Sequence, residues 1–151
     1  MRHERYDIEI GKASMTFEFV SEGPKGLIRK RVEYRKIKRR NVYILSFGDI
    51  DAATNDIDDE IISNNGDGLK VLATVVSTIY FFTEKYPTAI VYAEGSNAAR
   101  TRLYRIGISN NLEELKEKFD VCGFVEHIGW SEFEKNTNYS SFFVTRKKMS
   151  K

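Results

Sequence analysis

Apolar and polar residues alternate through the first fifty positions of the chain. Tyr6, Ile8 and Ile10 fall on one side of an extended segment, and Met15, Phe17 and Phe19 on one side of the next. This period of two, with Gly11-Lys12-Ala13-Ser14 between the segments, predicts a β-hairpin with one apolar face. Ser21-Glu22-Gly23-Pro24-Lys25-Gly26 is a run of breakers, so the chain turns again. Residues 27–37 predict a long strand with Ile28, Val32 and Tyr34 on one face and Arg29, Arg31, Glu33 and Arg35 on the other. A turn at 38–41 leads into 42–47, a run apolar on both faces, which predicts a central strand. Together these segments predict a four-stranded antiparallel meander.

After Gly48 the period changes. Residues 49–66 are acidic and end in Asn64-Asn65-Gly66, a loop signal. Leu69, Leu72, Ala73, Val76, Ile79 and Tyr80 then recur at helical spacing over 67–85, and Val71, Val75 and Phe82 form a second apolar stripe. A helix apolar on two sides is expected to be buried on two sides. Pro87 follows it, and 89–93 predicts a short buried strand. Gly95-Ser96-Asn97 opens a second helix through Tyr104, with Ala99, Leu103 and Ile106 expected toward the core and Asn97, Arg100 and Tyr104 along another side. Residues 111–118 predict a third helix, and 121–127 and 141–145 predict closing strands. The order predicts one α+β domain over 1–151: an antiparallel β meander followed by α-β-α-β-β, with helices packed on a single mainly antiparallel sheet.

A length of 151 residues, 41% hydrophobic and 13% aromatic, suffices for one buried core. A lone Cys122, itself expected in the core, excludes an internal disulfide, and with only two histidines no metal site is expected. The N-terminus is charged and alternating, unlike a signal peptide, and the longest apolar stretch is too short for a bilayer. These features predict a cytoplasmic protein without membrane contact. The formal charge is only +2, yet residues 25–40 carry nine bases against Glu33, and residues 49–60 carry six acids and no base. A uniformly basic nucleic-acid coat and a disordered polyelectrolyte are both excluded. Two opposite blocks so close in sequence are expected to meet in space and neutralise each other.

The segment from Gly95 to Arg105 carries the most chemistry. A helix starting directly after a buried strand offers free N–H groups and a positive end to an anion. Ser96, Asn97, Arg100, Arg102, Tyr104 and Arg105 are the candidate anion-binding residues there, Arg for bidentate oxygen recognition and Tyr as a donor. The competing reading has Ser96 or Asn97 as an ordinary N-cap and the arginines as a solvated face. Arg29, Arg31 and Arg35 on the basic strand, with Tyr34 and Tyr43 among them, form a second candidate surface for nucleic acid. Asp67 after Gly66 reads as helix capping, with no Gly-Lys-Ser/Thr following, so no P-loop is present. Asp49, Asp58, Asp59 and Glu60 read as a solvated loop or a partner for the basic strand. No segment assembles a nucleophile, a base and an orienting group. The expected function is a non-enzymatic binding module for an anionic partner, nucleic acid or an acidic protein surface, with no cofactor. Self-association, the basic strand meeting the acidic loop of a neighbour, is a further expectation.

Four phrases carry a resemblance: Lys25-Gly26-Leu27-Ile28-Arg29-Lys30, Phe47-Gly48-Asp49, Asn65-Gly66-Asp67 with Lys70-Val71-Leu72-Ala73-Thr74-Val75, and Gly95-Ser96 with Ala99-Arg100-Thr101-Arg102-Leu103-Tyr104-Arg105. They resemble a family of small bacterial proteins of unknown function, over nearly the whole chain. Residues 64–108 also resemble, locally, the GNAT-type N-acetyltransferases: Gly66-Asp67-Gly68 opening a helix, a strand, then Asn97, Leu103, Tyr104 and Gly107. That second resemblance implies an acyl-CoA-dependent acyltransferase or a degenerate relative, with acetyl-CoA as cofactor. Gly66 and Gly68 would face its pyrophosphate, and Tyr104 would protonate the leaving thiolate. Ser63, Asp67 and Arg100 depart from that pattern, and the paired early helices of that fold are missing.

Overall fold

Short turns between alternating segments let the first half of the chain pair with itself, and the computed structural model, which describes residues 3–38, 40–58 and 61–148, places it at one side of a single sheet. Strand β1 (Glu9–Ile10) is followed by a 3-10 turn, Lys12–Ser14, and by β2 (Thr16–Gly23), β3 (Gly26–Lys36) and β4 (Val42–Ile50), each antiparallel to the one before. Pro24-Lys25 closes the β2–β3 hairpin, where Gly23 faces Gly26 and Gly26 takes φ +91°, a conformation that favours glycine. The buried Asn65 side chain pins this turn. It accepts from Lys25 N (2.7 Å) and donates to Gly26 O (3.0 Å) and Ser21 Oγ (3.1 Å).

Strand β5 (Ile57–Asp58) folds back onto the end of β4. Helix α1 (Gly68–Lys85) then crosses the sheet, and β6 (Ile90–Ala93) returns parallel to β4. Helices α2 (Ala98–Asn110) and α3 (Leu112–Lys118) lead to β7 (Phe119–Val125), β8 (Gly129–Glu132) and β9 (Ser141–Arg146). The last strand inserts between β6 and β7, giving the order β1-β2-β3-β4-β6-β9-β7-β8, antiparallel throughout except at β4–β6.

The core lies between one sheet face and the helices. Val71, Val75, Val76, Ile79 and Phe82 of α1 share it with Phe17, Val32, Tyr34, Tyr43 and Leu45. Phe82 is fully buried, stacks on Tyr34 at 4.0 Å and meets the edge of Tyr43 at 4.9 Å. The buried Tyr34 hydroxyl bonds Thr78 Oγ1 (2.8 Å), and burial pushes its pKa well above the ordinary value. Threonines and a serine on α1 remain buried because their hydroxyls turn back onto the helix: Ser77 onto Thr74 O, Thr78 onto Val75 O and Thr83 onto Ile79 O.

The α+β class holds, with three helices and a mostly antiparallel sheet of nine strands among the described residues. The expected meander is matched only in part. Its first strand shrinks to two residues, the short β5 arises within the segment expected to be a loop, and the short β8 lies between the two expected closing strands. Helix α2 runs six residues past Tyr104, because nothing after that position breaks it before Asn111. Leu69 was expected in the apolar stripe of α1 but is 58% exposed, since it lies in the first turn, beyond the reach of the sheet. Cys122 is half-exposed rather than buried, on the sheet face that the helices leave open, and burial together with Asp120 and Glu132 pushes its thiol pKa up. Replacing Phe82 by Ala is expected to cost about 3–5 kcal/mol, and Leu69→Ala to change stability by less than about 0.5 kcal/mol; denaturant midpoints at constant m-value measure both.

Candidate functional site

Parallel strands need a crossover, and the one through α1 brings β6 beside β4 only at its beginning: Val42–Leu45 pair with Ile90–Ala93. Beyond Leu45 the two strands part. The chain leaves β6 through Glu94 and Gly95 into α2, while β4 continues to Ile50 and takes β5 as its partner at Asp49 and Ile50. Between these pairings Phe47 turns its carbonyl toward α2. A buried backbone carbonyl without a donor costs about 1–3 kcal/mol, and Arg100 supplies the donor. Its Nη2 donates to Phe47 O, its Nη1 donates to Ile61 O (3.3 Å), and its guanidinium lies 4.5 Å from the Phe47 ring centroid. Arg100 is only 4% exposed.

A cleft of about 270 Å³ opens beside this arginine, lined by Lys30, Ser63, Asn64, Asp67, Gly68 and Arg100 among others. Lys30 enters it from β3, on the same face as Val32 and Tyr34, and register places it opposite Asp49. Its ammonium pairs with that carboxylate, donates to Ser63 Oγ (3.0 Å) and lies 5.9 Å from the Phe47 ring. Two cations therefore approach one aromatic ring.

Asp67 occupies the N-cap position of α1, but its carboxylate does not cap the helix. It accepts instead from the Tyr6 hydroxyl (2.5 Å) and Ser21 Oγ (2.6 Å), on the side of the N-terminal segment. Helix α1 thus starts at the cleft with no side-chain cap and no acid in its first turn. This corrects the expectation that Asp67 would serve the helix end: two hydroxyl donors hold its carboxylate more firmly than the backbone N–H groups do. Burial, followed by the Asp67 bond, pushes the Tyr6 pKa up.

The other sequence-identified residues scatter. Asn97 is an ordinary cap, its Oδ1 accepting from Arg100 N (2.9 Å). Ser96 and Arg102 are exposed, and Arg105 donates to Asn138 Oδ1 (2.7 Å), so the three arginines of α2 point apart and form no cluster. The faces of α2 are also reversed relative to expectation: Ala99 is exposed, while Arg100, Tyr104, Gly107 and Ile108 are buried. Arg100 belongs to the inner face because its charge is taken up by carbonyl oxygens and an aromatic ring. Tyr104, 9% exposed, borders a cavity of about 30 Å³ among Leu45, Leu72, Val91 and Phe142. Gly66 takes φ +77° and donates its N–H to Asn64 Oδ1 (3.2 Å).

On the basic strand, Arg29 pairs with Glu18 (3.3 Å), and the buried Arg31 pairs with Glu18 (2.8 Å) and Glu33 (3.3 Å) and donates to Asn55 O (2.8 Å). Arg35 is exposed. The basic and acidic blocks therefore meet within one chain, through Lys30–Asp49 and Arg31–Asn55. Arg39, Asp59 and Glu60 lie outside the described residues. Lys30 and Ser63 were missed as site residues, although Lys30 is visible as the one break in the apolar alternation Ile28, Val32, Tyr34. Among the described residues no group of three or more metal-ligating side chains comes together, and no helix is long and apolar enough to cross a membrane.

The fold and the cleft define an α+β domain, helices on one sheet face, with a polar cleft where two parallel strands separate. The chain belongs to a family of unknown function (DUF6934), which it matches over residues 2–147. Neither the curated proteins nor the solved structures give a match, and no similarity to N-acetyltransferases is shown.

Arg100→Ala is expected to lower stability by about 2–4 kcal/mol, because it orphans the Phe47 and Ile61 carbonyls and removes a stacked group. Arg100→Lys should recover less than half of that loss, since an ammonium lacks the planar fork; chemical unfolding of both variants measures it. The Glu18 carboxyl is held below its ordinary pKa: burial works upward, but hydrogen bonds and charge from Arg31 and Arg29 outweigh it. A depressed carboxyl contributes stability above its unfolded pKa and loses it as pH falls through the folded value. Stability should therefore drop below about pH 4.5, and Glu18→Gln should flatten that limb of the profile.

Proposed function

We propose that this chain is a non-catalytic binding protein for an anionic partner, and that it receives a compact anionic group, of phosphate type, in the cleft between the start of α1 and Arg100. The observation that supports this reading is the uncapped first turn of an 18-residue helix opening onto a cleft that also holds a buried arginine. A helix start of that kind presents free N–H groups and a positive partial charge. The acids nearby are already committed, Asp49 to Lys30 and Asp67 to Tyr6 and Ser21.

Lys30 and Arg100 in the cleft are balanced by Asp67 beside them and by Asp49, which pairs with Lys30 from outside the lining. Recognition then rests on directed N–H donors at short range rather than on a broad positive field. This favours a compact oxyanion over the extended phosphate backbone of a nucleic acid, which would need unpaired cations along a strand. The arginines best placed for that, Arg29 and Arg31, are engaged with Glu18 and Glu33.

Titration with inorganic phosphate and pyrophosphate, followed by amide chemical shifts and thermal unfolding, tests the reading. The amides of Gly68, Leu69 and Lys70 should shift, and ligand at 100 times its Kd should stabilise by about 2.7 kcal/mol. Gly68→Glu separates binding from folding. A side chain at Gly68 meets open space, and an acid in the first turn supports the helix. The variant should keep or gain stability and lose the anion. Unshifted amides at millimolar anion, or binding untouched by Gly68→Glu, would sink the proposal.

A further inference from the structure

The helices cover one face of the sheet, and the other face carries a row of side chains that reads across six strands. Register places Arg35 of β3 beside Ile44 of β4, Ile44 beside Tyr92 of β6, Tyr92 beside Phe143 of β9, Phe143 beside Cys122 of β7, and Cys122 beside Glu132 of β8. The row is cationic at one end, apolar through the middle and anionic at the other. At a strand spacing of about 4.8 Å it spans about 24 Å. Trp130 lies over its apolar part, 4.9 Å from Phe143, 5.2 Å from Phe124 and 6.2 Å from Tyr92, and is itself 46% exposed. Arg35 and Glu132 are exposed, and neither joins an ion pair among the described residues.

The occupant that this order selects is a second copy of the same chain. A two-fold axis parallel to the strands, passing between Tyr92 and Phe143, reverses the row. Arg35 of one copy then faces Glu132 of the other, Ile44 faces Cys122, and Tyr92 faces Phe143. The neighbouring row agrees in size: Ser46, the outward residue beside Glu33, falls opposite Phe124 of the other copy, a small side chain against a large one. A self-complementary patch of this kind is what an isologous dimer requires. A partner of uniform charge would leave one end of the row facing its own sign, and a purely apolar partner would bury both ends unpaired.

We propose that this chain forms a two-fold homodimer through the open face of its sheet, with Arg35–Glu132 pairs at both margins and the Trp130 aromatic group at the centre. The contact is independent of the anion cleft, which lies on the helix-covered side at the far end of β4. It also differs from a contact between the basic strand and a neighbour's acidic loop, because those groups are already joined within one chain.

Sedimentation velocity of the full chain, from low to high micromolar concentration, measures the association. The wild-type chain should pass from monomer to dimer. Arg35→Glu and Glu132→Arg, both at exposed positions, should each weaken the dimer by more than about tenfold, since like charges then meet at two places. The double variant Arg35→Glu with Glu132→Arg should restore it, and unfolding midpoints, taken at a concentration where the wild-type chain is monomeric, should stay level across the set. A wild-type chain that remains monomeric at every concentration overturns the proposal, as does a double variant no better than the singles. Either result would leave the face to a partner of another kind.

Discussion

The structure turns on the place where β4 and β6 part. A parallel pair held over only four residues frees the rest of β4 to pair elsewhere, and it leaves one backbone carbonyl, that of Phe47, pointing into the interior. Water cannot serve it there, so the chain must. Arg100 does so from α2, and the same guanidinium reaches Ile61 O on the segment that returns from β5. One side chain thus joins the central strand, the second helix and the loop leading into α1. An apolar residue at this position would fill the volume but leave two acceptors empty. A lysine would satisfy one and stack poorly. Burying a charge without an acid partner is costly in general; here carbonyl dipoles and the Phe47 ring replace the solvent that is lost.

Charge along the chain follows the same logic of local neutralisation. The meander places Lys30 opposite Asp49 and Arg31 across from Glu18, so antiparallel register alone brings opposite signs together. The 51–56 turn then folds over Arg31 and gives it the Asn55 carbonyl. Exposed ion pairs contribute little to stability, about 0–1 kcal/mol each. Those on β3 are partly buried: Arg31 and Lys30 are largely shielded from water, and Glu18, Glu33 and Asp49 offset part of the cost of burying their charges. The consequence for function is subtraction: of the five bases on β3, Arg29, Lys30 and Arg31 are already paired with carboxylates of the same chain.

What was legible in the sequence is what depends on local pattern. The hairpin at Gly23-Pro24-Lys25-Gly26, the two apolar stripes of α1 and the strand at 89–93 all follow from period and turn chemistry, and the structure contains them. The insertion of β9 between β6 and β7 has no local signal, because any apolar strand of that length could take that edge. The reversed faces of α2 arose from treating Arg100 as a solvated residue; its burial depends on a carbonyl fifty-three positions earlier in the chain. Asp67 was misjudged for a related reason. Its capping geometry was readable, but the competing hydroxyls of Tyr6 and Ser21 come from other strands. Family membership was legible through Gly95-Ser96 and the residues around Arg100, the segment that closes the gap in the sheet.

The two halves of the open sheet face solve one problem differently. A sheet with helices on one side only must make its other side acceptable to water or cover it. Over β2 and β3 the chain uses alternating charges, Glu18, Arg29, Arg31 and Glu33, joined in pairs and partly roofed by the 51–56 turn. Over β6 to β9 it places Tyr92, Phe124, Phe143 and Trp130 side by side, with Cys122 among them. Nothing in the internal packing demands aromatics there, since the core on the helix side is already closed by Val91, Val121, Phe142 and Val144. Threonine would serve strand propensity there, and lysine would serve solubility. The aromatic side chains of this face stand outside that core, flanked by Arg35 at one margin and Glu132 at the other, and the proposed two-fold contact between copies would cover them.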